Sequence, residues 1–191
     1  MSPPADARAV QPANRAVFID EAGVLLHPGC GTLRADAGPA LARLQRAGYR
    51  LVLIAAPDAG TAGEPCAVPP VGALAEALSP HGVVLDASYR CPHAKPAGCD
   101  CCLPGPSLLL QAAEELGLAL KRSWLIGDTP DDIEAGRRAG CRTVLLDLEA
   151  ETSPLCQPEH VAASLTEAVA DILSTPPGAR GGQAGIEEWT D

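Results

Sequence analysis

The sequence predicts an α/β protein built on a doubly wound, Rossmann-like parallel sheet. Three observations carry that prediction. Short, wholly apolar runs such as Arg50–Ala56 read as strands buried on both faces. Helical periodicities fall between these runs, so strands and helices alternate along the chain. Glycine and proline punctuate the joins, with Gly48 and Gly117 placed as helix C-terminal signals. Alternation of this kind implies right-handed crossovers and helices on both faces. In such sheets the ligand site lies beyond the carboxyl ends of the strands.

The elements follow in order. Ala16–Asp20 is a short apolar strand, followed by a loop. Pro39–Ala47 is a helix with Leu41 and Leu44 on one face. Arg50–Ala56 is a buried strand, Val71–Leu78 a short helix ending at Ser79 and Pro80, and Gly82–Asp86 a third strand. A Cys-rich loop comes next. Pro106–Leu116 is a helix with proline at its first position. Ser123–Gly127 is a strand, Pro130–Ala139 a helix, Arg142–Asp147 a strand and Ser164–Leu173 a last helix. Residues 1–14 and 175–191 are aperiodic and rich in Pro, Gly and Ala, and are expected to be disordered tails flanking one domain over 15–174. Ile186–Trp189, within the second tail, is either a docking peptide or, more simply, solvated chain.

The bulk composition excludes several roles. The 191 residues suffice for one domain with a real core. A net charge of −10 argues against nonspecific binding to nucleic acid or an anionic membrane. No apolar run is long enough to span a bilayer, and residues 1–15 contain no apolar signal-peptide segment, so a cytoplasmic location is expected. Aromatic residues make up only 3%, which leaves Leu, Val, Ile and Ala to build the core.

Two constellations point to metals. Cys91, His93, Cys99 and Cys101 form a C-x-H…C-x-C pattern with Pro92, Pro96 and Gly98 turning the chain between the pairs. Thiolate and imidazole donors in a closed set of four suit a structural, tetrahedral Zn²⁺ that pins the loop over residues 88–106. A reduced Cys-rich turn and a disulfide pair are the competing explanations. The remaining cysteines, Cys30, Cys66, Cys102, Cys141 and Cys156, show no paired spacing. The second constellation is acidic. Asp20 and Glu21 leave the first strand, and Asp128, Asp131 and Asp132 follow the strand ending at Gly127. Asp20 and Asp128, projecting from adjacent strand ends, suit Mg²⁺, a hard cation that prefers oxygen. Asp132 has a second explanation, since Thr129-x-x-Asp132 with Pro130 at the first helical position is a capping box.

These motifs together resemble the haloacid dehalogenase (HAD) superfamily, and within it the zinc-loop subfamily of heptose-bisphosphate 7-phosphatases and histidinol-phosphate phosphatases. The likeness runs from about Ala16 to Val144. The family zinc pattern falls on Cys91, His93, Cys99 and Cys101. The family stretch I-G-D…D-I…A-G…A-G falls on Ile126, Gly127, Asp128, Asp132, Ile133, Ala135, Gly136, Ala139 and Gly140. The resemblance implies a HAD-like core with no large cap domain and an Asp nucleophile at Asp20. It also implies a Mg²⁺ held by Asp20, the Ala22 backbone carbonyl and Asp128, with Asp132 behind them.

The same resemblance exposes losses. The family acid/base in D-x-D-G is replaced by Ala22. The Ser or Thr that ends the next strand and binds the phosphoryl group is replaced by Ala56. In C-R-K-P-x-P the Lys is replaced by Leu103 and the substrate-binding Arg by Cys102, while a second substrate Arg is absent near Gly63. The two lysines of the chain, Lys95 and Lys121, fall at neither position. The expectation is a catalytically impaired, metal-binding homologue acting as a binding or regulatory protein, with a sugar phosphate or other phosphorylated small molecule as its ligand. An active or altered Mg-dependent sugar-phosphate phosphatase and a structural partner of another enzyme are the rival expectations.

Overall fold

The computed structural model describes residues 14–27, 31–55, 70–93, 99–146 and 157–176. Six strands form one parallel sheet: β1 (Ala16–Asp20), β2 (Arg50–Ala55), β3 (Ala87–Arg90), β4 (Trp124–Gly127), β5 (Arg142–Leu146) and β6 (His160–Ala162). Their spatial order is β3-β2-β1-β4-β5-β6. The helices are α1 (Ala37–Arg46), α2 (Val71–Leu78), α3 (Ser107–Leu116), α4 (Pro130–Ala139) and α5 (Leu165–Ser174). The order reverses between β1 and β4, and a doubly wound sheet opens its ligand crevice at such a switch point.

β1 shows why the sheet is covered on both sides. Its side chains alternate between two apolar clusters. Val17 and Ile19 join Leu41 and Leu44 of α1, Leu74 and Leu78 of α2 and Val169 and Ile172 of α5. Ala16 and Phe18 face the other way, onto Leu108, Leu109 and Ala112 of α3 and Ala135 and Ala139 of α4. Complete burial of a Leu, Ile, Val or Phe side chain contributes about 1.5–3 kcal/mol, so a strand buried on both faces is strongly fixed in register. Val17 and Phe18 pair with Leu51 and Val52 of β2 on one edge and with Trp124 and Leu125 of β4 on the other.

Most sequence-predicted elements recur within a residue or two of their expected ends. α2 and α4 coincide with their expected spans. α1 begins at Ala37 rather than Pro39, and Pro39 is accommodated because the first helical turn has no intrahelical bond to lose. Pro106 lies just before α3 instead of opening it, and Ser164 caps α5, its hydroxyl accepting from the Glu167 amide at 3.1 Å.

The third strand is a correction. The apolar run Gly82–Asp86 is not a strand; β3 is Ala87–Arg90, a less apolar segment on the sheet edge. Gly82 leaves the preceding turn with φ +70, and Val84 is solvent-exposed. Asp86 marks the start of pairing. Its amide donates to the Leu51 carbonyl, while its carboxylate accepts from the Leu51 amide, both at 2.8 Å. β6, three residues on the other edge, was not predicted at all. The expected tails fall almost wholly outside the described residues, as do Ile186–Trp189, Ala56, Gly63, Lys95, Pro96 and Gly98. Among the described residues, no helix is long and apolar enough to cross a membrane.

Gly136 sets how closely α4 approaches the sheet. A Cβ there would sit 2.6 Å from Thr143 Cγ2 and 3.0 Å from Leu125 Cδ2. Gly136→Ala is therefore expected to destabilise the protein, although alanine gains about 1 kcal/mol in helix propensity. Overpacking costs about 1–3 kcal/mol, and urea unfolding should record a lower midpoint with an unchanged m-value. A more stable variant would show that the helix can back away freely.

Candidate functional site

The crevice at the switch point is acidic. β1 ends at Asp20, and Asp128 directly follows Gly127 at the end of the neighbouring β4. Asp132 enters from the first turn of α4. One carboxylate oxygen from each of the three lies within 4.8 Å of the others, which suits a shared hard cation. Asp20 and Asp132 are buried and Asp128 half-buried. Two glycines make this convergence possible. Gly23 adopts φ +79, and a Cβ there would collide with the Asp128 carboxylate. A Cβ on Gly127 would collide with the Asp132 side chain.

Asp132 also completes the capping box read from the sequence. The Thr129 amide donates to Asp132 Oδ2 at 2.9 Å, the Thr129 hydroxyl donates to the same oxygen at 2.6 Å, and the Asp132 amide donates to Thr129 Oγ1 at 3.3 Å. Burial pushes the Asp132 carboxyl above its ordinary pKa, and the bonds from Thr129 pull against that rise.

Ala22, at the position expected for an acid, is half-buried in the turn after β1. Leu103 is half-buried as well and packs against the apolar cluster of Phe18, Leu108 and Leu109. Neither side chain brings a proton or a charge.

Next to Asp20 lies a group to which sequence reasoning gave no role. Glu21 is 1% exposed at its side chain, and its Oε2 accepts from Arg90 Nη2 at 2.7 Å. Its Oε1 is buried without a hydrogen-bond partner. Burial raises the Glu21 pKa, and the Arg90 guanidinium opposes the rise. The pair joins the end of β1 to the end of β3 across β2. No spacing motif marks it; the only hint was an acid immediately after a wholly apolar strand.

The second donor cluster lies at the end of β3. Cys91, His93, Cys99 and Cys101 each present a ligand atom within 4.8 Å of the other three. Cys91 Sγ is 3.6 Å from Cys99 Sγ and 3.2 Å from Cys101 Sγ, and His93 Nδ1 is 3.1 Å from Cys101 Sγ. Two sulfurs bound to one zinc at about 2.3 Å each cannot be more than about 4.6 Å apart, so the cluster is compact enough to share a single ion. The described cysteines are free thiols. Cys102 lies beside this set, with Sγ 3.0 Å from both Cys91 Sγ and Cys99 Sγ. Burial opposes ionisation of Cys91, but hydrogen bonds from Cys102 and other neighbours bring its thiol down to about 6. Cys101 and Cys102 are pushed up to about 12, first by their hydrogen bonds to Cys91 and Cys99.

An open α/β sheet with paired carboxylates at its switch point defines a HAD-type core, and comparison with known proteins agrees. Residues 101–168 match the HAD-hydrolase-like family model. The D-glycero-β-D-manno-heptose-1,7-bisphosphate 7-phosphatase of Haemophilus ducreyi is 32% identical over 151 residues, covering 69% of this chain and 82% of that protein. The enzymes of the same name from Pseudomonas aeruginosa and Helicobacter pylori J99 are 37% and 46% identical over shorter stretches, covering 38% and 34% of this chain. In those two cases the match spans only 41% and 37% of the relative's length. Among solved structures, the D,D-heptose 1,7-bisphosphate phosphatase of B. bronchiseptica, complexed with magnesium and phosphate, superposes with a TM-score of 0.68 at 23% identity, covering 83% of this chain and 98% of that one. The corresponding enzyme of Burkholderia thailandensis gives a TM-score of 0.61 at 21% identity, covering 84% of this chain and 99% of that one. The chain belongs to the HAD superfamily, in the group of the D-glycero-D-manno-heptose-1,7-bisphosphate 7-phosphatases.

Two variants test the electrostatics of the site. A raised Glu21 pKa means the folded state holds that proton more tightly than the unfolded state, whose value is about 4.3. This group's contribution to stability is therefore fully present below the unfolded value and is lost as pH rises through the raised one. Arg90→Met removes the opposing charge. It should cost about 1–3 kcal/mol at pH 7, where the carboxylate is left buried and unpaired, and clearly less at pH 4; equal losses at the two pH values would discount the ion pair. Asp132→Ala should cost about 0.5–2 kcal/mol through lost capping. That loss should appear in urea unfolding without divalent metal, and unchanged metal-free stability would leave Asp132 with no capping role.

Proposed function

We propose that this chain is a metal-binding HAD homologue with impaired phosphatase turnover, acting as a binding or regulatory protein for a sugar phosphate or similar phosphorylated small molecule. The observation that carries the proposal is the contrast within one crevice. The acidic set of Asp20, Asp128 and Asp132 is intact, while Ala22 and Leu103 stand where the family pattern has an acid and a lysine. Asp20, the Ala22 carbonyl and Asp128 are the groups to hold a Mg²⁺, with Asp132 supporting them; bound there, the cation would offset carboxylate charge and draw in phosphoryl oxygens.

Asp20 is the nucleophile position. Attack of its carboxylate on a phosphate monoester breaks the phosphorus–oxygen bond to the leaving alcohol, which must then receive a proton. Ala22 has none to give. Loss of a general acid costs about 10²–10⁴ in rate, and loss of one charge-stabilising donor about 10²–10³. Leu103 supplies no cation, Ala56 no hydroxyl, and the Arg90 guanidinium is engaged by Glu21. The thiol-rich loop is structural in this proposal, holding Zn²⁺ through Cys91, His93, Cys99 and Cys101.

The retained carboxylates and the named activity of the relatives favour one alternative, an altered Mg-dependent phosphatase using Asp20. The two are separated by assaying the full chain with Mg²⁺ against a panel including heptose bisphosphate and histidinol phosphate. Little or no turnover is expected. Ala22→Asp, Ala56→Thr and Leu103→Lys together should raise it far beyond the product of the single effects, because such groups act as a unit. Robust wild-type turnover abolished by Asp20→Asn would instead establish the active phosphatase. Metal analysis should give one zinc per chain, and chelation should speed amide exchange over residues 88–106 before the sheet opens. Stable protein purified without zinc would remove the structural-zinc role.

A further inference from the structure

We infer that Cys99 and Cys102 form a redox site, at which a hydroperoxide joins the two sulfurs in a disulfide and drives the zinc out of the loop reversibly. This inference rests on the zinc role proposed above, with Cys91, His93, Cys99 and Cys101 as the ligands and Cys102 as a thiol that binds no metal.

The motif fills a tetrahedral shell by itself. Among the described residues, Cys102 is the one sulfur of the cluster outside that motif. The family pattern has an arginine at this position, so the extra sulfur is a departure from it. Cys99-Asp100-Cys101-Cys102 has the C-x-x-C spacing of thiol–disulfide chemistry. The chain turns between the two ends, with the Cys102 amide donating to the Cys99 carbonyl at 3.2 Å. The Cys102 carbonyl in turn accepts from the Gly105 amide at 2.8 Å, which holds the backbone of Cys102 from its other side. A turn of this kind keeps its end Cα atoms within about 7 Å, near the limit that a disulfide spans. The sulfurs themselves face each other at 3.0 Å. Cys101 is a poorer partner for Cys102, because consecutive Cα atoms are about 3.8 Å apart, closer than ordinary disulfides allow. Cys91 lies equally near but is buried, whereas Cys99 and Cys102 are half-buried and open to a small oxidant.

The step balances in atoms and electrons. The zinc-bound Cys99 thiolate attacks one oxygen of hydrogen peroxide; the O–O bond breaks, hydroxide leaves and Cys99 becomes a sulfenic acid. The ion thereby loses one of its three sulfur ligands. Cys102 sulfur then attacks the Cys99 sulfur, the S–S bond forms, and the departing hydroxide takes the Cys102 proton and leaves as water. Two sulfurs have lost two electrons, and the peroxide has gained them. Cys102 is thus the resolving thiol, and it stops Cys99 short of the irreversible sulfinic acid.

The test treats the zinc-loaded, full-length chain with hydrogen peroxide in the presence of a chromogenic zinc chelator. Alkylation and mass spectrometry then locate the oxidised sulfurs. Wild type should release its zinc, gain a Cys99–Cys102 disulfide, and recover both thiols and zinc binding after dithiothreitol. Cys102→Ser and Cys102→Ala should bind zinc as wild type does before oxidation, with unchanged circular dichroism. Under peroxide they should form sulfinic acid at Cys99, with loss of the recovery by dithiothreitol. Recovery of these variants to the wild-type level would overturn the inference. So would a wild-type disulfide mapped to a different pair, zinc retained under peroxide, or loss of zinc from folded Cys102→Ser before any oxidant is added. Failure of the untreated wild type to bind zinc would overturn the zinc role beneath the inference, an outcome distinct from zinc that stays bound under peroxide.

Discussion

The confinement of β1 governs the rest of the molecule. The strand is buried on both faces and paired on both edges, with every residue from Ala16 to Asp20 inaccessible or nearly so. A strand held this way cannot slip, because a one-residue shift would send each side chain into the opposite cluster. Its last residue is therefore delivered to a fixed place, the rim where strand order reverses. β4 delivers Asp128 beside it by the same means, and Gly23 and Gly127 clear the space that lets the carboxylates approach. The acidic crevice is a consequence of core packing rather than of loop conformation.

Gathering carboxylates in such a crevice is costly. Like charges at short range disfavour mutual ionisation, and burial adds to the penalty. A bound cation offsets that cost, and so does any fixed positive side chain nearby. The family pattern supplies a lysine for part of this task, whereas Leu103 turns the position into apolar packing. Leu103 supplies no such charge. A crevice of this kind favours cations and, before a cation binds, repels phosphate.

Much of this was legible in the sequence because the governing rules are local. Buried parallel strands announce themselves as unbroken apolar runs, and α4 was marked at both ends, by Thr129, Pro130 and Asp132 at its start and Gly140 at its close. The carboxylate and thiol positions were equally plain, since each is fixed by short spacing from a strand end. The failures were at the edges of the sheet. Val83, Val84 and Leu85 look more like a strand than Ala87–Arg90 does, but an edge strand has an open side and tolerates Ser88, Tyr89 and Arg90. What decided the pairing was the Asp86 side chain meeting the Leu51 amide, a contact 35 residues apart in sequence. Glu21 escaped for the same reason, because its partner Arg90 lies on a strand two places away in the sheet.

The two donor clusters rest on parts of the fold that do not depend on the positions where this chain departs from the family pattern. The thiol loop ties Cys91, at the end of the edge strand, to Cys99, Cys101 and Cys102, which pack on the Phe18 cluster before α3 begins. Nothing in that arrangement requires an acid at position 22 or a lysine at position 103. The carboxylate crevice likewise depends on strand ends and on Gly23 and Gly127, not on the groups that would complete a phosphoryl transfer. Position 22 lies outside both apolar clusters that cover the sheet, whereas Cys102 and Leu103 pack against one of them.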